Sequence, residues 1–95
     1  MNDAVTLDPM TPPKIEFPCD YRIRVLGVAG EDLVANVLEI VAVHAKPVPE
    51  HAVSVRDSRN GNYQSVVFSI WATGEPQLRA LHADLVARSF VKLVL

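Results

Sequence analysis

The chain has 95 residues, 49% of them hydrophobic and 21% charged, with 9 Lys and Arg against 11 Asp and Glu and a formal charge of -2. That is the size and balance of a single globular domain, and the acidic excess argues against sequence-independent binding to nucleic acid, which needs a basic face. No run reaches the apolar length of a membrane span and no basic segment followed by an apolar one reads as a signal peptide, so the expected compartment is the cytoplasm; the single Cys19 has no partner for an internal disulfide.

Residues 1–16 carry Asp3, Asp8, Pro9, Pro12 and Pro13 with little periodicity and read as a flexible N-terminal tail, leaving 17–95 as one domain. Pro18 biases Phe17 toward an extended conformation, and Phe17 is placed to dock on the domain edge. Residues 20–27 read as a strand, with Tyr21, Ile23 and Val25 on one face and Arg22, Arg24 and Leu26 on the other. Gly27 and Gly30 bracket a short loop, Gly27-Val28-Ala29-Gly30. A helix is predicted over 31–45, with Glu31 and Asp32 in its first turn, where acids complement the helix dipole. Its apolar arc takes in Leu33, Val34, Val37, Leu38, Ile40, Val41 and His44, with Asn36 and Glu39 opposite. Pro47 and Pro49 stop it. His44 reads as a half-buried histidine bonded to a terminal carbonyl rather than as a catalytic base.

A second strand is predicted over 52–57, with Val53 and Val55 on one side and Ser54 and Arg56 on the other. Asn60-Gly61 signals a hairpin turn, because both residues tolerate positive φ. The strand that follows is long enough to be central in its sheet. Val66, Phe68, Ile70 and Ala72 form an apolar face, and Tyr63, Ser65, Val67, Ser69 and Trp71 a mixed one. Thr73 or Gly74 caps a second helix running to about residue 88, with Glu75 and Pro76 in its first turn and Leu78, Leu81, His82 and Leu85 on its inner arc. Residues 90–95 read as a last strand. The order β-α-β-β-α-β is the split βαβ, ferredoxin-like arrangement: an α+β fold with a four-stranded antiparallel sheet, the first and third strands central, and both helices on one face.

No catalytic constellation emerges. Asp20 beside Cys19 opposes thiolate formation, His44, His51 and His82 lack metal-ligand spacing, and no pair of carboxylates is placed for acid-base work. The expectation is a non-enzyme without cofactor or metal. Two surfaces are candidates for binding. The first is the loop Gly27, Val28, Ala29 and Gly30 with Glu31 and Asp32 at the helix start, whose N–H groups suit an anion while its carboxylates suit an amino or zwitterionic ligand; a tight turn with a capped helix is the bland alternative. The second is the open sheet face, where Arg24 and Leu26 neighbour Ser65, Val67 and Trp71, a composition suited to a subunit or partner interface unless the tail covers Trp71. RNA binding is the minor alternative: the offsets from Gly61 that an RNA-recognition sheet fills with aromatics hold Asn62, Gln64 and Val67.

Several short pieces together resemble the YbeD-like family of small bacterial proteins over about residues 15–95. They are Glu16-Phe17-Pro18, Arg24-Val25-Leu26-Gly27, His44-Ala45, Ser58-x-x-Gly61-x-Tyr63-x-Ser65-Val66, Ala72-Thr73 and Val94-Leu95. The chain departs from that pattern in its proline-containing N-terminal segment and at Trp71. The resemblance implies the same ferredoxin-like topology and a similarity to ACT-type regulatory domains, which bind small ligands such as amino acids and often pair through their sheets. It places the ligand site at residues 27–32 and implies a regulatory role near lipoate or amino-acid metabolism. The expected partners are a second copy of the chain and either an amino-acid-like effector or another protein, with protein-interaction adaptor as the alternative function.

Overall fold

The computed structural model describes residues 16–95, so the predicted tail lies, but for Glu16, outside the described residues. The elements follow in the order β1 (Cys19–Val28), α1 (Leu33–His44), β2 (Ser54–Asp57), β3 (Tyr63–Ala72), α2 (Glu75–Val86) and β4 (Val91–Val94). The sheet order is β2-β3-β1-β4, and every pairing is antiparallel. This is the ferredoxin-like α+β arrangement, with the two long strands in the middle.

The register of β1 on β3 runs without a break from Cys19↔Ala72 to Val28↔Tyr63. Because side chains alternate, that register puts Ile23 and Val25 beside Phe68 and Val66 on one face, and Arg22 and Arg24 beside Ser69 and Val67 on the other. The first face is the core. Val66, Phe68, Ile70 and Ala72 of β3 are all buried there, with Ile23 and Val25 of β1. Leu33, Val37, Ile40 and Val41 of α1 and Leu81 and Leu85 of α2 close over them. Each such aliphatic side chain contributes about 1.5–3 kcal/mol on leaving water. Phe17 packs half-buried against this cluster, as its apolar character suggested.

Several boundaries differ from the sequence reading, each for a local reason. β1 runs on to Val28, because Val28 N–H donates to Phe90 O at 2.8 Å and Ala29 N–H to Asn62 O at 3.0 Å, holding the chain in the sheet past Gly27. Gly27 and Val28 are therefore strand residues, and only Ala29 and Gly30 belong to the connection. α1 begins at Leu33. Asp32 is its N-cap, makes no side-chain cap bond, and leaves no acid in the first turn. β2 is shortened to four residues because a single 3-10 turn, Glu50–Ala52, absorbs the chain between Pro49 and Val53. In the β2–β3 loop only Gly61 has positive φ, at 74°; Asn60 does not. The turn is closed instead by Gly61 N–H to Ser58 O at 3.0 Å, and by Ser58, whose N–H donates to Tyr63 O while its Oγ accepts from Tyr63 N–H. His82 lies on the side of α2 that faces β1, as its spacing suggested, but it is exposed rather than packed into the core.

Candidate functional site

Four places in the described residues bring chemistry together. The first joins the helices. His44, the last residue of α1, puts Nε2 at 2.9 Å from Asp84 Oδ2 on α2, and Arg88 donates to Asp84 Oδ1 at 3.1 Å. With the carboxyl ionised the imidazole is the donor. That bond is the main reason the Asp84 carboxyl is held below its ordinary value, with partial burial opposing the effect and the Arg88 charge adding to it. Sequence reasoning gave His44 a carbonyl partner; a carboxylate forty residues away takes that place. The carbonyl of His44 accepts instead from Gln77 Nε2 at 2.9 Å, and Gln77 Oε1 accepts from Thr73 N–H at 2.8 Å. These bonds tie the end of α1 to the entry of α2, which is a structural task.

The second place is the predicted ligand loop. Gly27, Val28, Ala29, Gly30, Glu31 and Asp32 are contiguous at the C-terminal end of β1. The N–H groups of Val28 and Ala29 are already donated to backbone carbonyls, and that of Gly30 lies 3.4 Å from Gln64 Oε1. Gly27 serves packing: a Cβ there would sit 2.7 Å from Leu33 Cδ1 and 2.9 Å from Phe90 O.

The third lies at the opposite end of β1 and has no signal in the local sequence. β4 covers β1 only from Arg24 onward, where Arg24 and Leu95 exchange both backbone bonds at 3.0 and 2.8 Å. Backbone groups in a strand alternate sides, so the N–H and C=O of Arg22 and Asp20 point the same way as those of Arg24. No described residue pairs with them. Beneath this free edge, between β1 and α2, is a groove of about 340 Å³. Its walls are Tyr21, Ile23, Leu78, Leu81, Leu85 and Val94, and Glu75, Arg79 and His82 stand among its lining residues on α2. Glu75 and Arg79 form a solvated pair at 3.7 Å. The groove thus combines an apolar floor with one side chain of each charge, and it lies beside the strand edge whose backbone groups at Asp20 and Arg22 no described residue pairs.

The open sheet face gathers the other predicted set. Arg24, Leu26, Ser65, Val67 and Trp71 do share one surface, with Trp71 44% exposed and Leu93, opposite Leu26, 47% exposed. Among the described residues no cluster of three or more His, Cys, Asp or Glu is placed to hold a metal ion, and no helix is long and apolar enough to cross a membrane.

Comparison with known proteins agrees on kinship. A family described as protein of unknown function (DUF493) matches residues 12–95. A UPF0250 protein of Hahella chejuensis is 49% identical over 83 residues, 87% of this chain and 91% of the relative. UPF0250 proteins of Ectopseudomonas mendocina and Azotobacter vinelandii are each 48% identical, over 88% and 87% of this chain and 92% and 91% of their own lengths.

Proposed function

This chain belongs to the DUF493, or UPF0250, family, the YbeD-like group its motifs resemble, and from there we propose that it is a non-catalytic regulatory domain that binds a small amino-acid-like ligand in the groove between β1 and α2. The groove carries the reading. Apolar walls with a few convergent polar groups are what small-molecule sites share. An apolar side chain or short acyl chain fills the floor against Ile23, Leu78 and Leu85. A carboxylate meets Arg79 and the free N–H group of Arg22, and an ammonium meets Glu75. The groove is favoured over residues 27–32 because the N–H groups of Val28, Ala29 and Gly30 already have acceptors in the protein.

The test is an amide-shift titration of the full chain with apolar amino acids, lipoate and short acyl acids. Saturable shifts at Tyr21, Ile23, Leu78 and His82, abolished by Leu78→Trp, support the reading. Shifts centred on Gly27 and Gly30 that survive Leu78→Trp return the ligand to the loop, and the absence of saturable shifts removes the ligand-binding reading. The exposed Trp71 and the apolar side chains around it favour a second, compatible role, in which the open sheet face docks a protein partner.

A further inference from the structure

We infer that the open sheet face is a docking surface for an acidic, amphipathic segment of another protein, held by Arg22, Arg24 and Arg56. This names a partner chemistry for the docking reading of that face and is independent of the groove. The argument begins with charge. The chain is acidic overall, with 9 basic against 11 acidic side chains. Yet three of its arginines stand on one face of the sheet, where β1 and β3 add one acidic side chain, that of Asp20. The register fixes their layout. Arg22 lies opposite Ser69, Arg24 opposite Val67, and Arg56 opposite Ser65, which is itself opposite Leu26. Arg22 and Arg24 are therefore roughly 7 Å apart along β1, and Arg56 is about 10 Å across the sheet from Leu26.

These arginines differ from those on the helix layer. Arg79 and Arg88 each have a carboxylate partner on α2, whereas Arg22, Arg24 and Arg56 form no ion pair with any described residue. Three unpaired guanidinium groups on one flat face repel one another mildly and gain from any partner that brings carboxylates. Between and beside them the surface is small or apolar: Ser65, Val67 and Ser69 in the middle, Leu26 and Leu93 on one side, and Trp71 at the end beside Asp20. Exposed Trp beside Arg is the composition of an interface centre. A segment with two or three acids and one or two large apolar side chains matches both parts.

Nucleic acid matches less well. The centre of β3 presents Ser65, Val67 and Ser69, with no ring on which a base can stack. The two aromatics, Tyr63 and Trp71, stand at the ends of β3, roughly 26 Å apart at about 3.3 Å per residue. The net charge of -2 also repels a polyanion at long range.

The test places a photo-cross-linking amino acid at Ser69, and separately at Ser65, in the full chain expressed in its native cells, with the cross-linked peptide identified by mass spectrometry. The expected result is a protein adduct whose cross-linked segment is acidic and carries an exposed apolar residue. Arg22→Glu with Arg24→Glu lowers its yield by on the order of tenfold, while the circular dichroism of the variant stays that of the parent, and changing two acids of the captured segment to Lys restores the yield. No adduct from either position removes docking on this face altogether. An adduct with RNA, or with a segment that is not acidic and ignores the charge exchange, leaves a docking face but overturns the partner chemistry.

Discussion

Gly27→Ala tests how the end of β1 is built. The added methyl carbon would stand 2.7 Å from Leu33 Cδ1, 3.4 Å from Leu33 Cδ2 and 2.9 Å from Phe90 O. Leu33 is the first residue of α1 and is 3% exposed, so it has little room to swing away. Phe90 O cannot yield without cost, because it accepts the Val28 N–H at 2.8 Å and so links β1 to the entry of β4. Overpacking of this kind costs about 1–3 kcal/mol. Alanine offsets part of that, about 0.5–1 kcal/mol, by losing less backbone freedom than glycine on folding. The net expectation is a loss of about 1–2 kcal/mol, which for a domain of this size lowers Tm by roughly 5–15 °C. Gly30→Ala is the internal control. A Cβ there meets nothing within 4 Å, and Gly30 does not have positive φ, so a gain of about 0.4–1 kcal/mol is expected. Urea unfolding of both variants measures the difference. Adding Leu33→Val to Gly27→Ala relieves only the side-chain half of the clash. Full recovery in that double variant, or shifts of the same sign at the two glycines, would refute the carbonyl as the constraint.

Gly61→Ala forces an L side chain to φ 74° in the β2–β3 loop and should cost about 1 kcal/mol in urea unfolding; no change would mean the loop rearranges freely. Ile70→Ala removes most of a side chain 2% exposed at the centre of the core and should cost about 2–5 kcal/mol, with a smaller loss indicating that the core collapses around the gap. The Asp84 carboxyl is held below its ordinary value of 3.8 in the folded state, so its ionised form contributes stability that is present above that value and lost as pH falls through the lower, folded one. Asp84→Asn should therefore be less stable than the parent at neutral pH and converge on it in strong acid. A gap that stays constant from neutral to strongly acid pH would show that the charge of Asp84 plays no part.

What the sequence made legible was whatever depends on periodicity. The alternation of Val66, Phe68, Ile70 and Ala72 set the core face of β3, and the spacing of Leu33, Val37, Ile40 and Val41 set that of α1. Both follow from geometry internal to one element. What escaped depends on elements meeting. Gly27 and Gly30 look equivalent as a bracketing pair, but only Gly27 has α1 and the Phe90 carbonyl pressed against it. His82 falls at helical spacing with Leu78, Leu81 and Leu85, yet stays exposed, because the β1–α2 groove is left open on its side. The groove is assembled from β1, α2 and β4 and depends on how far β4 reaches along β1, a length no local pattern encodes. The partner of His44 on α2 is hidden for the same reason.

The position of β1 in the sheet bears on how the chain emerges from the ribosome. β1 is made first but pairs only with β3 and β4, which are made later, whereas β2 and β3 are adjacent in the chain and close through a short loop. The hairpin can therefore form early, while β1 waits with Ile23 and Val25 uncovered and both edges free. Pairings between strands distant in sequence are the slow ones, and an unpaired apolar strand is prone to aggregate. A translation pause between β2 and β3 would therefore hold the nascent chain with β1 uncovered, in the form most prone to aggregate.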